Sequence, residues 1–129
     1  MIKLVDLLVE RIDYDHTANY LVKYYKLKSK VKVGGATHDY GDYIPEKDLI
    51  LLHRSYPSVK EFIISVLHEI KHALDAKQLG VRKYVKKYNQ AGTMAVHRGR
   101  HPHDDNKWEE RAEKWAQNEW KTKWKRKFG

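Results

Sequence analysis

An α+β fold is predicted for this 129-residue chain by three features of its pattern. Two short runs carry strand character, Lys28–Val33 by alternation and Asp48–His53 by its aliphatic residues. A long apolar-striped run then extends from Ser58 towards Gly80 with no glycine or proline inside it. A second helical pattern closes the chain from Trp108 to about residue 125. Together they predict a small sheet, a central helix and a C-terminal helix.

Length and composition frame this as a single domain over residues 1–129, with a basic helical tail over about 118–129. Apolar residues make up 41% and charged residues 33%, a globular balance. No run approaches the ~18 apolar residues of a membrane span. The apolar start, Met1 to Val5, is broken by Asp6 and Glu10, so no secretory signal is expected. Cysteine is absent, which excludes disulfides and thiolate-bound metal and fits a reducing, cytoplasmic setting. The net charge is +9, with basic clusters at Lys23–Lys32, Arg82–Lys87 and Lys121–Lys127. Such a chain adheres weakly to polyanions at low salt.

In order along the chain, residues 1–12 fit a helix through Ile2, Val5, Val9 and Ile12, or a strand through their β-branched side chains. Asp13 or Asp15 caps a second helix, on which Ala18, Leu21, Val22 and Tyr25 recur at helical spacing. Gly34 and Gly35 end the first strand, and Tyr40–Pro45 has turn chemistry. The strand at 48–53 stands just before the long helix, where a sheet edge could capture an extended peptide through its backbone. Pro57 and the capping-box pattern Ser58-Val59-Lys60-Glu61 start that helix. Ile63, Val66, Ile70 and Leu74 share one side of it, opposite His68. Gly80 stops or bends it. Val81–Tyr88 is expected as a short basic helix, 89–92 as a turn and 93–106 as a loop.

The chemistry concentrates in His68-Glu69-Ile70-Lys71-His72. Residues four apart share a helix face, so the two imidazoles can converge on one cation. Glu69 sits about 100° round from His68, where its carboxylate can accept a proton from water without occupying a coordination position. A catalytic zinc ordinarily has three protein ligands. Glu109 is a candidate for the third, lying on the same side of its helix as Ala112, Glu113, Ala116 and Trp120. Its alternative role is to close a capping box that begins at Asn106. The loop histidines His97, His101 and His103 are rivals for that position, or donors to a developing oxyanion. Asp75 and Glu113 are candidates to orient the imidazoles from outside the coordination shell.

The two motifs, His68-Glu69-x-x-His72-Ala73 and Glu109-x-x-Ala112-x-x-Trp115-Ala116, resemble the zincin metallopeptidases of the IrrE/ImmA type. That family carries His-Glu-x-x-His and then Glu-x-x-Ala-x-x-Phe-Ala on a later helix, with Trp115 here in place of the phenylalanine. The resemblance implies a zincin-like domain holding one Zn2+ on His68, His72 and Glu109, with Glu69 as general base. SprT-like proteases, which use a third histidine and act near DNA, are a more distant comparison.

The expected function is therefore zinc-dependent hydrolysis of peptide bonds in a protein or peptide substrate. The alternative is a nucleic-acid-binding protein, or a DNA-associated protease. It rests on the lysine clusters, Tyr24, Tyr25, Tyr84, Tyr88 and the tail with Trp120 and Trp124, since aromatics stack on bases. In that case the metal could be structural, its fourth position filled by a residue such as His97 or His103.

Overall fold

A computed structural model describes residues 12–129. The expectation for the first dozen residues lies, but for Ile12, outside them. The described chain begins with helix α1 (Tyr14–Tyr24), capped by Asp13, whose carboxylate accepts from the His16 amide at 3.0 Å. Three short strands follow: β1 (Lys30–Val33), β2 (Asp42–Ile44) and β3 (Leu49–Leu52). The helices α2 (Val59–Leu79), α3 (Val81–His97) and α4 (Lys107–Glu119) come next, and a π-turn over Trp120–Trp124 leads into the short α5 (Lys125–Phe128). This is the α+β arrangement the sequence predicts. Among the described residues, no helix is long and apolar enough to cross a membrane.

The sheet order is β1-β3-β2, with β1 parallel to β3 and β2 antiparallel to it. Two expectations are corrected here. Residues 42–44, read as part of a turn, are a strand paired with Leu49–Leu51. The 48–53 strand is consequently central, and the edge beside α2 is β2. The signal was weak because Asp42-Tyr43-Ile44 is short and sits between Gly41 and Pro45. The turn into β3 places Asp48 at φ 47°, and its carboxylate accepts hydroxyl bonds from Ser29 (2.6 Å) and Tyr43 (2.8 Å). A short polar side chain tolerates this left-handed conformation because it bonds locally.

Helix α2 is the axis of the core. Ser58 caps it by accepting from the Glu61 amide at 3.1 Å, and Gly80, at φ 88°, ends it. Ile63, Val66 and Ile70 are fully buried with Phe62, Leu67, Ile50 and Leu52, while Leu74 is only partly covered. Each such side chain contributes about 1.5–3 kcal/mol by leaving water. The face carrying His68 is buried as well, because α4 lies along it.

Helix α3 corrects a third expectation: it runs unbroken to His97, leaving only 98–106 as loop. Asn89-Gln90-Ala91-Gly92 reads locally as a turn, but Gly92 is buried inside the helix, and a Cβ there would lie 3.2 Å from the Pro102 carbonyl. Its lack of a side chain admits the returning loop rather than bending the helix. At the C-terminus, Trp120 and Trp124 pack into the main core, so 118–129 is a docked element. Trp124 donates its indole N–H to the Tyr25 hydroxyl (2.9 Å), which donates to Glu119 (2.8 Å).

Candidate metal centre

Three donor atoms meet between α2 and α4. His68 Nε2 lies 2.7 Å and His72 Nε2 3.0 Å from the same oxygen, Glu109 Oε1. Glu109 reaches this point from the first turn of α4, whose start is fixed by Asn106. That fully buried side chain accepts from the Trp108 amide (2.9 Å) and donates to the carbonyls of Tyr88 (3.0 Å) and Pro102 (3.2 Å). The capping alternative for Glu109 is thereby decided in space: Asn106 caps, and the Glu109 carboxylate turns to the histidines.

The outer nitrogens of both imidazoles are also held. Glu113, one turn beyond Glu109, receives His68 Nδ1 at 3.2 Å. The Tyr84 hydroxyl on α3 lies 2.8 Å from His72 Nδ1 and, as donor or acceptor, can serve either tautomer. The Tyr88 hydroxyl, one turn further along, donates to Glu109 Oε2 at 2.5 Å. Tyr40 stacks on His68 with ring centroids 4.5 Å apart. Neither tyrosine of α3, nor Tyr40, was singled out for the site from sequence. The spacing of Tyr84 and Tyr88, four apart on one helix face, was the available signal, masked by reading both as nucleic-acid contacts.

The other candidates fall elsewhere. Asp75 makes no hydrogen bond to either imidazole; its Oδ1 pairs with Lys71 at 3.0 Å and with Arg111 at 3.8 Å. It does not take the orienting role expected of it. His97, the last residue of α3, and His101, within the loop, are both exposed, and His101 Nδ1 accepts from the amides of His103 and Asp104. Only His103 comes near, with Nε2 3.3 Å from Glu109 Oε2, the oxygen facing away from the convergence of imidazoles. It stacks on His38 (3.8 Å), which is paired through Nδ1 to Asp42 on the edge strand. Among the described residues, the His, Asp and Glu side chains that could hold a metal ion together are His68, His72 and Glu109.

Electrostatics agree with that set. Burial would raise the Glu109 carboxyl, but bonds from His68, His72 and Tyr88 outweigh it and hold the group ionised. Burial opposes charging His68, yet Glu109 and Glu113 push it up to about 9. Burial pushes His72 down, keeping it the neutral partner. A divalent ion would displace the Nε2 protons and gain two imidazoles and a carboxylate already oriented. The donor chemistry thus fits a metal ion, and the positioned outer nitrogens are what such a site requires.

Glu69 faces a hollow of about 280 Å³ together with His72, Glu109 and Tyr43 of the edge strand. Its side chain is 3% exposed and makes no hydrogen bond among the described residues. Burial, reinforced by Glu109 and resisted by His68, pushes its carboxyl up to about 8. A Cβ on Gly41 would lie 3.3 Å from Glu69 Cγ and 2.6 Å from the Leu51 carbonyl, so this glycine makes room for the acid against the sheet.

No family model matches the chain, and no curated protein or solved structure matches it.

Proposed function

We propose that this chain is a zinc-dependent peptidase of the zincin kind, with His68, His72 and Glu109 as ligands and Glu69 as general base. The observation that carries the reading is the convergence of both Nε2 atoms on one Glu109 oxygen, beside a buried carboxylate, Glu69, that makes no hydrogen bond among the described residues. Zinc held there would supply Lewis acidity, polarising a peptide carbonyl and acidifying water. The chain's own residues do the rest. Glu69, with its raised affinity for protons, takes one from the attacking water and returns it to the departing nitrogen. Glu113 and Tyr84 fix the imidazole rings, and Tyr88 holds the second Glu109 oxygen. The β2 edge borders the hollow and offers backbone groups to an extended chain.

The test pairs metal content with peptide hydrolysis. Glu69→Gln is expected to keep one zinc per chain and lose turnover by at least about a hundredfold, within the range of a positioned acid–base group. His72→Ala is expected to lose the metal. Full hydrolysis by both variants would refute the assignment.

A polyanion-binding role has narrower support. Lys127 lies over the exposed Tyr20 (4.1 Å) and Lys123 over the exposed Tyr24 (5.7 Å). The other aromatics of the nucleic-acid reading are engaged internally: Tyr84 and Tyr88 at the site, Tyr25, Trp120 and Trp124 in the core. Binding of single-stranded DNA no tighter than that of an unrelated protein of equal charge would end this reading.

A further inference from the structure

Charge is segregated on this molecule. Although the chain carries 26 Lys and Arg against 17 acidic residues, the walls of the site have the opposite balance. The hollow beside Glu69 and His72 is lined by Asp42, Glu46 and Glu109 and, among the described residues, by no lysine or arginine. A second hollow, across Glu109 and His103 and beside His68, is lined by Asp39, Asp104, Glu110 and Glu113, with Lys114 as its one lysine or arginine among the described residues.

Part of this negative charge has internal use. Glu109 holds the imidazoles, Glu113 holds His68, and Asp42 and Asp104 pair with His38 and His103. A divalent ion would be offset by Glu109 and Glu69. Asp39, Glu46 and Glu110 remain, exposed and without a hydrogen bond or ion pair among the described residues. They stand on both sides of the site, Glu46 in the turn after β2 and Asp39 and Glu110 on the His68 side. Glu69, buried and without a hydrogen bond among the described residues, lines the same wall and points to a ligand in the hollow.

The first hollow is also apolar over much of its lining, through Tyr43, Pro45, Val85 and Tyr88, with Glu46 among them. An aliphatic stem ending in a cation matches that combination, since lysine and arginine bury their methylenes while keeping the charged head at a polar rim. A cleft lined by one sign of charge also concentrates ligands of the other sign.

We infer that the cleft takes cationic peptide segments, with a lysine or arginine side chain seated against Tyr43 and Tyr88 and its head at Glu46. This names the substrate class for the peptidase reading and rests on it for the meaning of the site. The preference runs against the body of the molecule, whose net positive charge would draw acidic peptides.

Zinc-loaded Glu69→Gln protein is titrated, by fluorescence anisotropy, with two labelled peptides differing only in Lys and Arg against Glu at their central positions. The basic peptide is expected to bind at least about tenfold more tightly, a difference that narrows with added salt. Glu46→Lys with Glu110→Lys in the same background is expected to erase the preference. Both positions are exposed, so the fold is not at stake. Equal or tighter binding of the acidic peptide, or a preference that survives the double substitution, overturns the inference. The zinc-loaded wild-type chain is then incubated with the same peptides. A basic peptide that binds at Glu46 and Glu110 but is left uncut refutes the peptidase reading while upholding the cationic cleft.

Discussion

Tyr84 and Tyr88 show what a single hydroxyl does at this site. Each holds a group that would bind the metal, His72 through Nδ1 and Glu109 through Oε2. Removing such an outer partner typically costs 10–100-fold in metal affinity. Tyr84→Phe is therefore expected to weaken zinc binding by about tenfold or more in a chelator competition, with the fold intact. Unchanged affinity would remove Tyr84 from the site. Glu69 gives a second residue-scale expectation, in the metal-free protein. Because its carboxyl titrates near 8 when folded against 4.5 ordinarily, the folded state retains a proton that the unfolded chain has lost between those values. Its contribution to stability therefore falls as pH rises through that window. Glu69→Gln should melt above the wild type at pH 8 in chelator, and the gap should close towards pH 4; the reverse order at pH 8 would contradict the burial argument. His68, Glu69, His72 and Glu109 were legible as a candidate set because helical spacing ties each to a face. The tyrosines were not, because their role depends on where α3 packs.

Elements set the aim of those side chains. Asn106 joins three of them, capping α4 and tying it to α3 and to the loop through the Tyr88 and Pro102 carbonyls. Loss of a cap costs about 0.5–2 kcal/mol. Asn106→Ala should therefore lower the melting midpoint and, by loosening the first turn that carries Glu109, weaken zinc binding as well. A loss of stability with unaltered zinc affinity would separate the cap from the site. Gly41 does the corresponding service at the sheet. Backbone cannot step aside cheaply, so a methyl 2.6 Å from the Leu51 carbonyl forces β2 or Glu69 to move. Overpacking of this sort costs about 1–3 kcal/mol, and Gly41→Ala is expected to lower both stability and turnover. A variant with wild-type stability and turnover would show that the site tolerates the shift. The same two places mark where sequence reading stopped. Strand β2 is only three residues long, below what alternation can signal, and α3 continues through a turn-like tetrapeptide because its glycine is needed for packing. Helices α2 and α4, by contrast, carry their caps and stripes in their own sequence.

At the scale of the molecule, the site depends on residues far apart along the chain. His68 and His72 come from one helix, Glu109 from another, and a third supplies the tyrosines that hold them. An ion bound across these elements stabilises only the folded form, by about 2.7 kcal/mol when present at a hundred times its dissociation constant. The uneven charge belongs to this scale too: a basic body surrounds an acidic cleft, which net charge alone could not reveal. The most direct test is the metal content of the chain against that of Glu109→Ala, both refolded with one equivalent of zinc and passed through a weak chelator. The wild type is expected to retain one zinc per chain and the variant almost none. A variant that keeps its full equivalent would contradict the account.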